Sequence, residues 1–435
     1  MELTDSDCSS FIAILEEELV PALGCTEPIA IAYAGAHARK LLGKIPDRVC
    51  IKSSGNIIKN VKSVIVPNSG NMKGVPAAAA IGIIGGKSDK GLEVLADITE
   101  DDIERTKEFL QKIPCKVSLL NSAAALHFII EVCAGSESAS VEIIHQHTNI
   151  VHTTKNGKDV LRLPFDPASA NAALTDRSVL SVKKILEFAD TVNLERVRAM
   201  LERQIEYNSR ISRHGLEHRY GINAGSNLLE AAKAENAVTL KVRAAAAAAA
   251  GSDARMSGCT LPVVTNSGSG NQGITASMPV IVFAQEKKLS HERLLRGLLV
   301  SNLVAIHQKT RIGRLSAYCG AVSAACGSGA AITYLAGGSC EQICETITNT
   351  LAVVSGILCD GAKPSCAAKI ASAVDAAINA HYLAMKHEAF QAGDGIVKAD
   401  IEKTIAGVGA IAADGMRETD KVILNIMVND DYVKV

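Results

Sequence analysis

Cys25 lies in Ala22-Leu23-Gly24-Cys25-Thr26-Glu27-Pro28, just ahead of a helix start. Far down the chain, Cys359 and Cys366 flank Asp360-Gly361-Ala362-Lys363-Pro364-Ser365. A thiol at a helix N-terminus feels the positive end of the macrodipole and unpaired N–H groups. Both lower its pKa, and the thiolate could then act as a base or nucleophile. The plainer alternative is an ordinary helix-start cysteine with Thr26 as cap. Two thiols seven residues apart around a Gly/Pro turn can approach one point. Cys319 and Cys326 precede them by 40 residues each. Thiolates of this kind hold iron–sulfur clusters, and three protein ligands leave one iron open as a Lewis acid. Zinc's closely spaced cysteine knuckles are absent. Buried thiols in alanine-rich helices are the other way to read this set. Of the twelve cysteines, Cys8, Cys50, Cys115, Cys133, Cys259, Cys340 and Cys344 have no special context and fit as small core residues.

A polar glycine run follows Thr265: Asn266, Ser267, Gly268, Ser269, Gly270, Asn271, Gln272 and Gly273. Such a loop presents backbone N–H groups and side-chain donors to an anion. It lacks the lysine of a P-loop and the preceding strand of a dinucleotide fingerprint, so it reads as a cradle for a small carboxylate. Pro67–Gly74 is a similar loop, and Ser54, Ser69 and Arg219 are candidate helpers in carboxylate binding. His214-Gly215-Leu216-Glu217-His218 differs from the His-Glu-x-x-His order of zinc proteases and reads as a polar helix end. His145 and His147 read as surface residues on one strand face.

The elements that must position these groups change in texture along the chain. Helical spacing over residues 6–20 ends at Pro21, and a second helix runs from about Glu27 to Leu42, with Pro28 in its first turn. Strands are expected at Arg48–Ser53, Ser63–Val66, Leu92–Ala96, Lys116–Leu120, Phe128–Cys133, Ser140–Gln146 and Ile150–Lys155. The last of these turns at Asn156-Gly157. Leu163-Pro164-Phe165-Asp166-Pro167 reads as a linker, and beyond it the pattern is helical with glycine-rich turns. The expected class is α+β, with a smaller N-terminal α/β domain over residues 1–165 and a larger all-α domain over 166–435.

Composition narrows the functions open to such a chain. Hydrophobic residues make up 48% of the 435 but aromatics only 3%, with no Trp, so the core is built from Ala, Val, Ile and Leu. A net charge of −1 leaves no electrostatic footprint for nucleic acid or an anionic membrane, and stacking platforms are scarce. The longest apolar runs fall short of the roughly 20 residues a membrane span needs. The acidic N-terminus lacks the basic region of a signal peptide, so a cytoplasmic location is expected.

Taken together, Ala-Leu-Gly-Cys-Thr-Glu-Pro at 22–28, Asn-Ser-Gly-Ser-Gly-Asn-Gln-Gly at 266–273 and Cys-Asp-Gly-Ala-Lys-Pro-Ser-Cys at 359–366 resemble the L-cysteine desulfidase family. That family is related to the iron–sulfur L-serine dehydratases, and the likeness spans essentially the whole chain. The resemblance implies a 4Fe–4S cluster and β-elimination without pyridoxal phosphate, releasing pyruvate, ammonia and hydrogen sulfide from L-cysteine. It implies Cys25 as proton acceptor, Cys359 and Cys366 as cluster ligands, and a third ligand upstream. Cys319 is the choice for that ligand, with Cys326 as its rival. Where serine dehydratases carry a Ser-Ser-His-Thr-type sequence, this chain has cysteine and no histidine, which favours the desulfidase branch. The alternatives are an L-serine or other β-substituted amino-acid dehydratase with the same cluster, or a non-catalytic iron–sulfur sensor. The expected partner is a small amino-acid substrate, and a homo-oligomer is expected.

Overall fold

The computed structural model describes residues 3–167 and 174–428. The chain is α+β. Its strands are β1 (Pro21–Leu23), β2 (Arg48–Ser53), β3 (Cys115–Leu119), β4 (His127–Ala134), β5 (Glu137–Ile144), β6 (Ile150–Lys155), β7 (Lys158–Arg162) and β8 (Pro262–Val264). Helices α1 (Asp5–Glu18), α2 (Thr26–Leu42), α3 (Gly55–Val61), α4 (Gly74–Gly85) and α5 (Glu100–Lys112) lie in the first part of the chain. Then come α6 (Val182–Thr191), α7 (Arg198–Glu217), α8 (Ala224–Ala234), α9 (Leu240–Met256), α10 (Gly270–Glu286) and α11 (His291–Ile312). The series closes with α12 (Gly320–Leu335), α13 (Cys340–Val354), α14 (Ser365–Ala384), α15 (Ile401–Ala410) and α16 (Arg417–Val428). Among the described residues, no helix is long and apolar enough to cross a membrane.

Six strands form one sheet in the order β3-β2-β4-β5-β6-β7, with β2 and β3 parallel and the other pairs antiparallel. Alternation along β4 and β5 buries Phe128, Ile130, Val132, Ala139, Val141 and Ile143 in the same core as the apolar residues of α2 and α4. A second core is helical. Its centre is α9, whose run Ala244–Ala250 is buried throughout, since methyl-sized side chains let α7, α8, α10 and α14 pack closely around it. Helix α1 contributes Phe11, Ile14 and Leu15 to this second core, where Phe11 packs against Phe188 with ring centroids 4.9 Å apart and planes tilted by 30°.

Two expected strands are absent. Ser63–Val66 forms a turn with a single bridge from Ile65 to Lys73, and Leu92–Ala96 runs through the end of a 3₁₀ segment and successive turns. Val94 and Leu95 are nonetheless buried, so a short apolar run signalled burial and not extension. The unexpected pairing is β1 with β8, Pro21 opposite Val264 and Leu23 opposite Pro262. It joins segments 240 residues apart and decides where Cys25 stands.

Candidate functional site

Cys25 follows β1 directly. Gly24 turns the chain at a φ of +60°, and a Cβ there would lie 2.1 Å from Pro67 Cγ, so both its conformation and the close approach demand glycine. Cys25 is then the extended N-cap of α2, with its side chain 1% exposed. Its Sγ donates to Glu27 Oε2 at 3.1 Å. The other carboxylate oxygen, Glu27 Oε1, accepts Asn60 Nδ2 from α3 at 3.0 Å.

The β1–β8 pair carries the glycine run to the same place. Ser267 and Gly268 both take positive φ, and Asn266 and Ser269 exchange backbone hydrogen bonds of 3.1 and 3.0 Å across them, closing a tight turn of the mirror-image kind. Asn266 is buried and its amide donates to Asn302 Oδ1 at 3.0 Å, while Ser267 Oγ donates to Asn266 Oδ1 at 2.9 Å. Helix α10 starts immediately after, at Gly270. The Thr26 hydroxyl is shared between Glu27 Oε2 at 3.1 Å and Gly268 O at 3.0 Å, tying the two motifs together.

A backbone clasp sets the remaining thiols. Tyr318 and Leu358 form an isolated antiparallel bridge, with Cys319 N–H donating to Ile357 O at 3.1 Å and Cys359 N–H to Ala317 O at 2.7 Å. Cys319 is also the N-cap of α12, and Cys366 stands in the first turn of α14.

Cys25, Cys319, Cys359 and Cys366 line one cavity, together with Ser269, Asn271 and Gln272. The rest of the predicted loop shapes the turn behind it. Cys326 does not reach the cavity. It is fully buried inside α12, with Sγ directed to Ile347 O at 3.8 Å. Ser54 donates to Ala125 O at 2.7 Å and borders an adjoining cleft, Ser69 donates to Val66 O at 2.7 Å, and Arg219 is exposed beyond the end of α7. None of these three lines the cavity. His214 and His218 stack at 4.0 Å at the end of α7, away from it.

Burial sets the electrostatics. Desolvation, and then the Glu27 carboxylate, push the Cys25 thiol well above its ordinary value, overriding the helix-terminus effect expected from sequence. Desolvation also pushes Cys319 up to about 12, with the neighbouring Cys359 adding to it, and raises Cys366. Burial would raise Glu27 too, but the neighbouring His147 ring first, then the hydrogen bond from the Cys25 thiol and the nearby Arg255, outweigh it and hold this carboxyl below the usual range. His147 is not a surface residue. It sits in the turn after β5, against Gly268, and burial pushes it down to about 4, so it is neutral at pH 7.

Sequence reasoning missed the charged lining. Lys59, Arg255, Lys309 and Arg314 all face the cavity, against the single carboxylate of Glu27. Lys59 pairs with Asp420 and Arg314 with Glu18, while Arg255 and Lys309 make no ion pair among the described residues. Five buried polar atoms of lining residues lack a hydrogen-bond partner: Asn56 Oδ1, Asn60 Oδ1, Arg255 Nε, Asn271 Oδ1 and Gln272 Oε1. Such a concentration of unpaired buried groups is what a polar ligand would satisfy. The available signal was a charge embedded in small or apolar residues, as Arg255 is after Ala244–Ala250 and Lys309 within α11.

Among the described residues, no three His, Cys, Asp or Glu side chains close on a single metal ion. An iron–sulfur cluster asks for something else, one thiolate for each of several irons. Cys319, Cys359 and Cys366 line the same cavity, near enough to act on one another electrostatically, and thiols are the donor type such a cluster takes.

Residues 89–425 match the serine dehydratase alpha chain family. The chain is 57% identical to a UPF0597 protein of Treponema denticola, covering 99% of this chain and 100% of that one. It is 55% identical to a UPF0597 protein of Lachnoclostridium phytofermentans, covering 96% and 99%. A UPF0597 protein of Aeromonas hydrophila is 41% identical, covering 96% of each. That shared name states no activity.

Proposed function

Because the chain belongs to the serine dehydratase alpha-chain family, we propose that it is an amino-acid lyase and that its substrate is L-cysteine, eliminated to pyruvate, ammonia and hydrogen sulfide. The observation that carries this reading is the shared cavity. Four thiols from three distant segments line it beside a positively charged, under-bonded polar wall.

Cys319, Cys359 and Cys366 would hold a 4Fe–4S cluster, and its open iron would supply Lewis-acid stabilisation of the departing sulfur. The polypeptide does the rest. In the resting protein the proton sits on Cys25 Sγ, hydrogen-bonded to Glu27 Oε2, so Glu27 is the group in reach to accept it and free a thiolate. That thiolate removes the Cα proton as general base. The C–H electron pair becomes the Cα=Cβ bond, the Cβ–S pair leaves with sulfur as hydrosulfide, and the proton held by Glu27 is given up to it, releasing hydrogen sulfide and restoring the carboxylate. The resulting aminoacrylate tautomerises to an imine, and water hydrolyses it to pyruvate and ammonia. Burial of Cys25 and Glu27 excludes water from the proton transfer.

The family name supports a second reading, dehydration of L-serine in the same cavity. Anaerobically reconstituted protein given each amino acid separately distinguishes the two. Sulfide and pyruvate in equal amounts from L-cysteine is the expected result. Pyruvate from L-serine with no sulfide from L-cysteine would replace the first reading with the second, and no product from either would remove both.

A further inference from the structure

Resting on the reading that this cavity takes an amino acid, we propose that Arg255 anchors the α-carboxylate and that Asn60, oriented by Glu27, receives the α-ammonium. The site then recognises its ligand as a zwitterion.

Arg255 is 3% exposed, ends the alanine-rich helix α9, and makes no hydrogen bond or ion pair among the described residues. A buried guanidinium whose nearest carboxylate, Glu27, acts on it only through space and not by a hydrogen bond is costly. This one also lies across the start of α10, where the macrodipole is positive: a Cβ on Gly270 would stand 2.3 Å from Arg255 Nε and 2.8 Å from Cζ. Two like-signed ends are therefore packed together beside a cavity, an arrangement that a bound anion relieves. Glu27 does not serve, because its oxygens are taken by Cys25, Thr26 and Asn60.

Lys309 is the other cation of the lining without an ion pair among the described residues, but it borders Cys319 and Cys359 rather than the start of α10. Arginine offers two parallel N–H groups to a carboxylate, where a lysine ammonium is a point charge. On both counts Arg255 is the better anchor. Ser269, Asn271 and Gln272 at the start of α10 complete that end of the cavity.

The opposite requirement appears at Asn60. Its Nδ2 is committed to Glu27 Oε1 at 3.0 Å, which fixes the amide so that Oδ1 is the free atom. That oxygen is buried and has no donor, as is Asn56 Oδ1 on the same helix. A ligand that satisfies both walls must bring an anion for Arg255 and N–H donors for the α3 amides. An α-amino acid does so through its own backbone groups, leaving its side chain free to face the thiols.

The test is binding, read by calorimetric titration rather than turnover, with three probes that carry no leaving group: L-alanine, L-alaninamide without the carboxylate, and propionate without the ammonium. The unaltered protein should bind L-alanine best. Arg255→Gln and Arg255→Ala should weaken L-alanine roughly 30-fold or more, down to the level of L-alaninamide, whose own affinity stays put. Arg255→Lys should fall between. Asn60→Ala should weaken L-alanine while leaving propionate unaffected. Thermal unfolding of each variant checks that the fold survives, and Arg255→Gln keeps most of the side-chain volume should Arg255→Ala not fold. If Arg255→Gln still prefers L-alanine to L-alaninamide as strongly as the parent, the anchor assignment is wrong while the amino-acid reading stands. If the parent binds none of the three, both are wrong.

Discussion

Cys319 and Cys359 are clasped by reciprocal backbone bonds around the Tyr318–Leu358 bridge, Cys319 N–H to Ile357 O at 3.1 Å and Cys359 N–H to Ala317 O at 2.7 Å. Segments 40 residues apart thereby present thiols to one cavity wall, and the start of α14 adds Cys366. Replacing any of Cys319, Cys359 or Cys366 with alanine should cost most of the iron taken up on anaerobic reconstitution, together with its visible absorption. Cys326→Ala, inside α12 and facing Ile347 O, should take up as much iron as the parent. Equal loss from Cys326→Ala would mean that the wrong cysteine has been assigned.

Glu27 bears on Cys25 in two opposed ways. Its charge helps hold the thiol protonated, and its Oε2 is the acceptor the proton needs. Activity that depends on a Cys25 thiolate should climb with pH through the alkaline range. Glu27→Gln should move that limb to lower pH, by removing the negative charge, while lowering the maximal rate about 100-fold through loss of the acceptor. A pH–rate profile of the two proteins decides it, since a merely structural Glu27 would change the rate and not the position of the limb.

The fold was legible where local pattern and tertiary role agree. β2 (Arg48–Ser53) and β6 (Ile150–Lys155) have the bounds their alternation predicts, and the Asn156-Gly157 turn joins β6 to β7. Pattern failed at Leu92–Ala96, where apolar residues are buried in turns, and it had no means of revealing the β1–β8 pair, three residues a side with partners 240 positions apart. In the site, thiols and glycines stood out because their types are chemically rare in combination. Arg255, Lys309 and Asn60 are ordinary residues, and only burial without partners distinguishes them. The expected lowering of the Cys25 pKa failed for the same reason. A helix terminus is visible in sequence, whereas desolvation is a property of the packed structure.

Acid should weaken the fold through His147. Its unfolded value is near 6.5 and burial pushes the folded value down to about 4, so between those limits the unfolded chain binds a proton that the folded one refuses. Stability is then fully present above pH 6.5 and is lost as pH falls toward 4, at up to about 1.4 kcal/mol per pH unit. His381, also pushed to about 4 by burial, adds to the slope. Urea unfolding at pH 7, 6 and 5 should show falling stability, and His147→Gln should flatten the decline. An unchanged slope in that variant would mean that His147 is not held neutral.

Helix α16 is tied to the site by a charge pair whose lysine is buried and whose aspartate is half-buried. Lys59 of α3 is 2% exposed, pairs with Asp420 of α16 and also donates to Cys359 O at 3.4 Å. Both residues border the adjoining cleft, which shares Asn56, Lys59, Leu315 and Ser316 with the thiol-lined cavity. Asp420→Ala leaves the Lys59 ammonium buried without its counter-charge, which should cost about 3–5 kcal/mol in urea unfolding. The double replacement Lys59→Met with Asp420→Leu removes both charges and should recover most of that loss, because an apolar pair of similar volume has no desolvation to offset. The Cys359 carbonyl loses a donor in the double variant all the same. Its stability should therefore return while its iron uptake stays below the parent's, separating what the pair does for the fold from what Lys59 does for the thiol wall.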